Sequence, residues 1–302
     1  MKELLLSRLY HPPLRGLARR VRPRAAILVY HRVAAPVDDP YGQAVPPETF
    51  AAHLDLLTRA YRVLPLSELV DALPRRRYLD RSVAVTFDDG YADNLTAAWP
   101  LAAERGVPIT VFAAAGPVLD GDGFWWDELA ARVPEPAARG RHHQRLKSLP
   151  CEERRRALGK LGTASASEAA GRPLTPGELR DLAGRPGVEI GAHTLSHPAL
   201  AALPAEEQRQ EIVQSRERLE ALLGRPVRFL AYPFGKPKDV SAETIGLARA
   251  AGFRAAFTTV PQRIVPSTPR FALPRLTIHA VPAAALARQL DQILGEPGSF
   301  KP

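Results

Sequence analysis

Short apolar runs recur along this chain, and a helical stretch follows most of them. Ala25–Tyr30, Val83–Asp88, Ile109–Ala113, Val188–Ala192, Arg228–Tyr232, Ala255–Thr258 and Leu273–Ile278 are brief and largely apolar, which suits buried strands. Arg62–Leu64 is a further short strand candidate. Helices are expected over Pro46–Ala60, from a Ser67 cap to Leu73, over about Tyr91–Arg105, and over Pro204–Leu223, Ser241–Ala251 and Pro282–Leu294. Gly106, Gly224 and Gly252 stand where a helix end favours a residue free to turn left-handed. Strands and helices in strict alternation argue for parallel strands, in either a barrel or a doubly wound sheet. The alternation breaks over about residues 117–186, where charged helical stretches suggest an insertion carried on one loop.

Polar landmarks share a position in this pattern. His31, Asp88-Asp89, His193 and Pro233-Phe234-Gly235 each directly follow a strand. In a parallel barrel all such ends lie on one face, where active sites form. Two adjacent carboxylates repel each other unless a cation sits between them. One can then ligate it while the other takes a proton. Gly90 lets the backbone turn sharply, although an Asp-Asp-Gly turn also occurs without any site. His193 and His197 stand four residues apart and would point the same way on a helical turn. Two imidazoles and one carboxylate make a three-ligand set with open positions, as in zinc hydrolases and non-haem iron oxygenases. The second aspartate favours hydrolysis, because a metal-bound water needs a base beside it.

With 302 residues, 45% hydrophobic and 24% charged, the chain can bury a full core as one large α/β domain or two small ones. Cys151 is the only cysteine, which excludes an internal disulfide framework and a cysteine-rich zinc site. The net charge of +9 is mostly arginine, but no internal stretch interleaves basic and aromatic residues, so no nucleic-acid partner is expected. Residues 1–24 form a basic arm in which Lys2, Arg8, Arg15, Arg19, Arg20, Arg22 and Arg24 alternate with leucines. The arm is too short and charged to span a bilayer and lacks the apolar core of a signal peptide, but it allows a weak membrane-surface contact. The reading is therefore a cytoplasmic or membrane-peripheral protein, with one folded unit over residues 25–295.

Thr86-Phe87-Asp88-Asp89-Gly90, then His193-x-x-x-His197, then Tyr232-Pro233-Phe234-Gly235 resemble the successive motifs of the polysaccharide deacetylases, carbohydrate esterase family 4. The resemblance spans roughly residues 25–290. It implies a distorted (β/α) barrel of about seven parallel strands, a zinc or similar divalent ion, and removal of N-acetyl (sometimes O-acetyl) groups from a saccharide. It also implies roles. Asp88 would be the general base, and Asp89, His193 and His197 the metal ligands. Tyr232, Pro233 and Phe234 would form the substrate and oxyanion loop, with the Phe234 N–H on the oxyanion.

Two histidines resemble the family's general acid. His31, after Ile27-Leu28-Val29-Tyr30, matches that motif moved to the N-terminus, as in the circularly permuted poly-N-acetylglucosamine deacetylases. His279, after Leu276-Thr277-Ile278, matches it in the usual place. The strand-end argument favours His31. The sequence departs from the family at Ala231, where many members carry an arginine that contacts the base; Arg228 is the nearby alternative. Trp125 and Trp126 suit either stacking on a sugar ring or anchoring the insertion, and His142 and His143 are expected to be solvated. The expected partner is an N-acetylated saccharide, such as an exopolysaccharide precursor. A non-catalytic carbohydrate-binding protein on the same barrel is the alternative. A glycosidase using Asp88 and Asp89 is disfavoured, because adjacent residues rarely separate two carboxyls far enough.

Overall fold

A computed structural model describes residues 24–36, 38–73, 79, 81–162 and 171–295. The basic arm, apart from Arg24, and part of the expected insertion, residues 163–170, lie outside the described residues. Seven parallel strands carry the fold. They are β1 Ala25–Tyr30, β2 Ser82–Phe87, β3 Ile109–Ala113, β4 Val188–Ala192, β5 Phe229–Ala231, β6 Ala255–Phe257 and β7 Leu276–Thr277. Their order is β7-β1-β2-β3-β4-β5-β6, and Arg62–Val63 pairs with β2 off this path. The sheet curls until its edges approach. Leu273, just before β7, donates to the Ala256 carbonyl at 3.0 Å and accepts from the Thr258 N–H at 2.9 Å. The result is a distorted barrel whose two edge strands are tied at one residue, so little edge is left open to pairing.

Alternation along the strands builds two layers. Ala25 and Ile27 of β1 join a cluster with Ala84, Phe112, Phe229, Ala255 and Phe257, whereas Ala26, Leu28 and Tyr30 join the larger cluster beneath the helices. Every residue of β1 and β2 is buried, as parallel strands covered on both faces must be. The helix Leu66–Ala72 places Leu66, Leu69 and Val70 in the first cluster. Its cap is Pro65, not the expected Ser67, whose N–H instead donates to Glu189 of β4 at 3.1 Å.

The expected helix after β2 is uneven. Asn94–Ala98 is a wide π-type turn, and a regular helix follows only over Trp99–Glu104. The wide turn lies just ahead of Pro100, which has no N–H to donate to the turn before it. Between β3 and β4 the helices Ala115–Asp120, Trp125–Arg132, Pro136–Leu146 and Cys151–Gly159 precede Pro176–Gly184. Phe124, Trp125, Trp126, Leu129, Leu146 and Leu158 pack into a separate core. That core takes in Tyr91 and Ala114 from the barrel and reaches Phe234 at its edge. The inserted helices are thus fastened directly over the C-terminal ends of β2, β3 and β5.

Candidate active site

The site begins where β2 stops. Gly90 N–H bonds back to the Asp88 carbonyl at 2.9 Å, and Asp89 between them has φ 72°, so the chain reverses in three residues. Ala114 N–H fixes the Asp89 carbonyl at 3.0 Å. A side chain at Gly90 would start 3.3 Å from the Ala113 Cα, at a φ of 87°, so both space and conformation favour glycine. Both carboxylates are buried.

His193 and His197 come together on a loop, not on the expected helical turn. Thr194 and His197 have φ values of 63° and 59°, and His197 N–H donates to the Thr194 hydroxyl at 3.0 Å. Glu211 accepts from the Leu195 and Ser196 N–H groups at 2.9 and 2.8 Å, and Arg154 from the inserted helices donates to the Ser196 hydroxyl at 2.7 Å. Asp89, Thr194, His197 and Phe234 are four of the five non-glycine residues with positive φ among the described residues. Backbone strain of this kind persists only where surrounding contacts over-determine it.

The outcome is a compact donor set. Asp89 Oδ1 lies 3.5 Å from His193 Nε2 and 3.3 Å from His197 Nε2. One ligand atom from each of the three residues falls within 4.8 Å of the others. His193 Nδ1–H donates to the Ala231 carbonyl at 2.8 Å, which leaves the Nε2 lone pair facing Asp89. Both Asp89 oxygens are buried with no hydrogen-bond partner among the described residues. Burial and then the Asp88 charge push the Asp89 carboxyl well above its usual range, while burial pulls both imidazoles down. A cation among the three reverses the cost for Asp89 and uses the lone pairs of the neutral rings. A tetrahedral ion with bonds of about 2.1 Å separates its ligands by about 3.4 Å, which the Asp89 distances match. The residues fit a divalent metal.

Asp88 is held apart from this set by a residue the sequence reading did not single out. Arg275 has no exposed surface. Its two terminal nitrogens donate to Asp88 Oδ1 and Oδ2, each at 2.7 Å, and its Nε donates to the Thr258 carbonyl at 3.1 Å. Burial alone would raise the Asp88 carboxyl, but the guanidinium, joined by His193 and His31, offsets it and holds the group below its ordinary value. Asp88 Oδ2 is 3.8 Å from His193 Nε2, beside the ligands yet outside their cluster. Arg275 therefore answers the gap at Ala231. Arg228 does not, being exposed and just ahead of β5, at the end away from Ala231. The available signal was a lone arginine in the apolar run Leu273–Ile278.

The other expected residues divide. His31 follows β1 directly and is half-buried, and burial pulls its imidazole down to about 4 against the opposing Asp88 charge. His279 is exposed, with Nδ1 2.9 Å from the Gly42 carbonyl. Phe234, at φ 61°, sits in another three-residue turn, closed by Gly235 N–H on the Pro233 carbonyl at 2.6 Å. Its own N–H has no acceptor among the described residues, and its ring lies 5.0 Å from that of His197. Pro233 is buried. Tyr232 is buried too and donates its hydroxyl to the Phe271 carbonyl at 3.0 Å, so its ring is core.

Trp125 and Trp126 are 7% and 3% exposed, which leaves no open face for a sugar. Trp126 packs 4.3 Å from the His197 ring and donates to the Tyr91 hydroxyl at 2.7 Å; Trp125 donates to the His197 carbonyl at 3.3 Å. They anchor the inserted helices and support a candidate ligand. His143 is packed, not solvated, 5.1 Å from Trp125 and 5.7 Å from Phe234.

Residues 75–256 match the family model described as polysaccharide deacetylase. That segment contains Asp88, Asp89, His193, His197 and Phe234 but neither His31 nor Arg275. The chain is 22% identical over 256 residues to YxkH of Bacillus subtilis (strain 168), a protein named for polysaccharide deacetylase activity, covering 83% of this chain and 70% of that one. The fold is similar to the Streptococcus pyogenes deacetylase PplD in complex with acetate, with a TM-score of 0.63, 19% identity, and 89% and 99% of the two chains covered. It is also similar to a de-N-acetylase from Aggregatibacter actinomycetemcomitans, with a TM-score of 0.60, 16% identity, and 88% and 99% covered.

Proposed function

The chain belongs to the polysaccharide deacetylase family, and from that premise we propose that it is a metal-dependent hydrolase removing N-acetyl groups from a saccharide. One observation carries the reading: Asp88, fixed by Arg275, stands beside a buried Asp89–His193–His197 donor set without belonging to it. Asp89, His193 and His197 would hold a divalent ion, zinc being well suited to two imidazoles and one carboxylate. When bound, such an ion supplies Lewis acidity and an acidified water.

The chain's own groups do the rest. Asp88 takes the proton of the attacking water, and its fork to Arg275 keeps it aimed as it does so. The free Phe234 N–H donates to the oxyanion of the tetrahedral intermediate. His31 gives a proton to the departing amine. Asp88 gains one proton from water and the amine takes one from His31, so the proton count closes over these two groups, and the Asp88 charge opposes the effect of burial on the His31 imidazole. An amide leaving group needs that proton more than an ester does, which supports N-acetyl over O-acetyl substrates. The name of the Aggregatibacter de-N-acetylase supports the same choice.

The substrate we favour is an N-acetylated exopolysaccharide or its precursor, met at a membrane surface through the basic residues of 1–24. No helix among the described residues is long and apolar enough to cross a membrane. Vesicle co-sedimentation with and without residues 1–24 tests that contact. A carbohydrate-binding protein on the same barrel would have no use for a buried arginine fork on Asp88. Acetate release from N-acetylated chito-oligosaccharides, with zinc supplied and after chelation, tests the activity. Release that chelation abolishes and zinc restores is expected. No release from any acetylated saccharide would overturn the proposal.

A further inference from the structure

Lys147 closes the inserted helix Pro136–Leu146 and is buried, an expensive place for an ammonium. Its Nζ bonds Asp239 Oδ1 at 2.7 Å and lies 4.4 Å from the centre of the Phe234 ring. Asp239 is buried as well, and its Oδ2 has no partner among the described residues. Asp239 in turn belongs to the loop that continues from Phe234 and Gly235, with its N–H on the Lys236 carbonyl at 2.8 Å. Two backbone bonds extend the joint. The Lys147 carbonyl accepts from Ala199 at 2.7 Å, and the Asp239 carbonyl accepts from Ala201 at 3.2 Å. Ala199 stands two residues past His197. One lysine thus ties together the insertion, the continuation of the His197 loop and the Phe234 loop.

That loop needs holding. Phe234 and Gly235 are consecutive left-handed residues, and a Cβ at Gly235 would sit 2.6 Å from the Thr259 nitrogen. A cation over the face of the Phe234 ring is attracted to it, and the attraction strengthens where water is excluded. We propose that Lys147, held by Asp239, is a positioning residue that keeps the Phe234 N–H where the oxyanion forms. The inserted helices then take part in the reaction's geometry as well as covering the barrel. The inference rests on the reading of Phe234 given above.

The double variant K147M/D239L tests it, since it removes both charges together and leaves neither buried alone. The expected result is a kcat for acetate release at least tenfold lower, a KM within twofold, unchanged bound zinc, and faster amide hydrogen exchange across residues 234–239. K147Q/D239N, which also removes both charges but keeps polar groups able to bond each other, should move kcat and exchange the same way by a smaller factor, and it serves if the first double variant fails to fold. Unchanged kcat or unchanged exchange in a folded variant overturns the inference. If the wild type releases no acetate, the function reading fails by itself. The exchange measurement then decides whether Lys147 positions the loop.

Discussion

Arg275 meets Asp88 through two parallel hydrogen bonds of 2.7 Å, with the guanidinium fully buried. The arginine leads into β7 and the aspartate follows β2, strands that flank β1 in the sheet. The candidate base is therefore aimed by the same turn of chain, Leu273 to Thr277, that ties the barrel's edges together. Closing the fold and orienting Asp88 are one structural event.

Replacing Arg275 should show this. R275M leaves a buried carboxylate unpaired and should destabilise the fold by about 3–5 kcal/mol. R275K keeps the charge but loses the fork, so it should fold and lose about 100-fold in kcat/KM through misplacement of Asp88. The pH profile has a definite sign. Arg275 holds Asp88 below its usual range against burial, so weakening the pair lets burial raise it. The acid limb of kcat/KM must then move to higher pH in R275K. A limb that stays in place would remove Asp88 from the base role.

The two adjacent aspartates should separate cleanly by metal content. D88N should keep bound zinc and lose about 10²–10⁴-fold in kcat. D89N should lose the metal itself, because Asp89 Oδ1 is the oxygen facing both imidazoles. Equilibrium dialysis with metal analysis on both variants checks this. Loss of zinc from D88N with retention in D89N would exchange the two roles.

Much of this arrangement was legible in the sequence because it is local. Each barrel strand is a short apolar run, and Asp88, Asp89, His193 and Phe234 follow such runs directly. Spacing could not supply what depends on distant partners. Arg275 reaches Asp88 from 187 residues away, so nothing around Ala231 could reveal it. The His193–His197 pair suggested a helical turn, but Glu211 and Arg154 hold the intervening backbone in a left-handed loop. Trp126 looked equally fit for a sugar or a core until its packing on His197 and its bond to Tyr91 decided the matter.

His31 can be told from His279 by the leaving group. An amine needs a proton to depart, whereas a nitrophenolate does not. H31N should lose about 10²–10⁴-fold in kcat on an N-acetylated saccharide yet keep most hydrolysis of p-nitrophenyl acetate. H279A should change both by less than about threefold, since His279 is exposed and bonded to the Gly42 carbonyl. The reverse pattern would make His279 the acid.

Asp127 gives a stability prediction independent of turnover. It accepts from the Tyr91 hydroxyl at 2.9 Å, and Tyr91 accepts from Trp126 at 2.7 Å, beneath the ring that packs on His197. Burial raises its carboxyl from 3.8 to about 6, although the Tyr91 bond and Arg32 oppose the rise. The folded state thus holds this proton more tightly than the unfolded chain does. The stability it contributes is fully present below pH 4 and is lost as pH rises through about 6. The loss amounts to about 3 kcal/mol by pH 7 and roughly half that at pH 5. D127N keeps an acceptor for Tyr91 but carries no charge, so it should be more stable than the wild type at pH 7, with the gap closing as pH falls towards 4. Urea unfolding of both proteins at pH 7 and pH 5 measures the gap. A difference that does not change between those pH values would mean that Asp127 titrates normally in the folded protein.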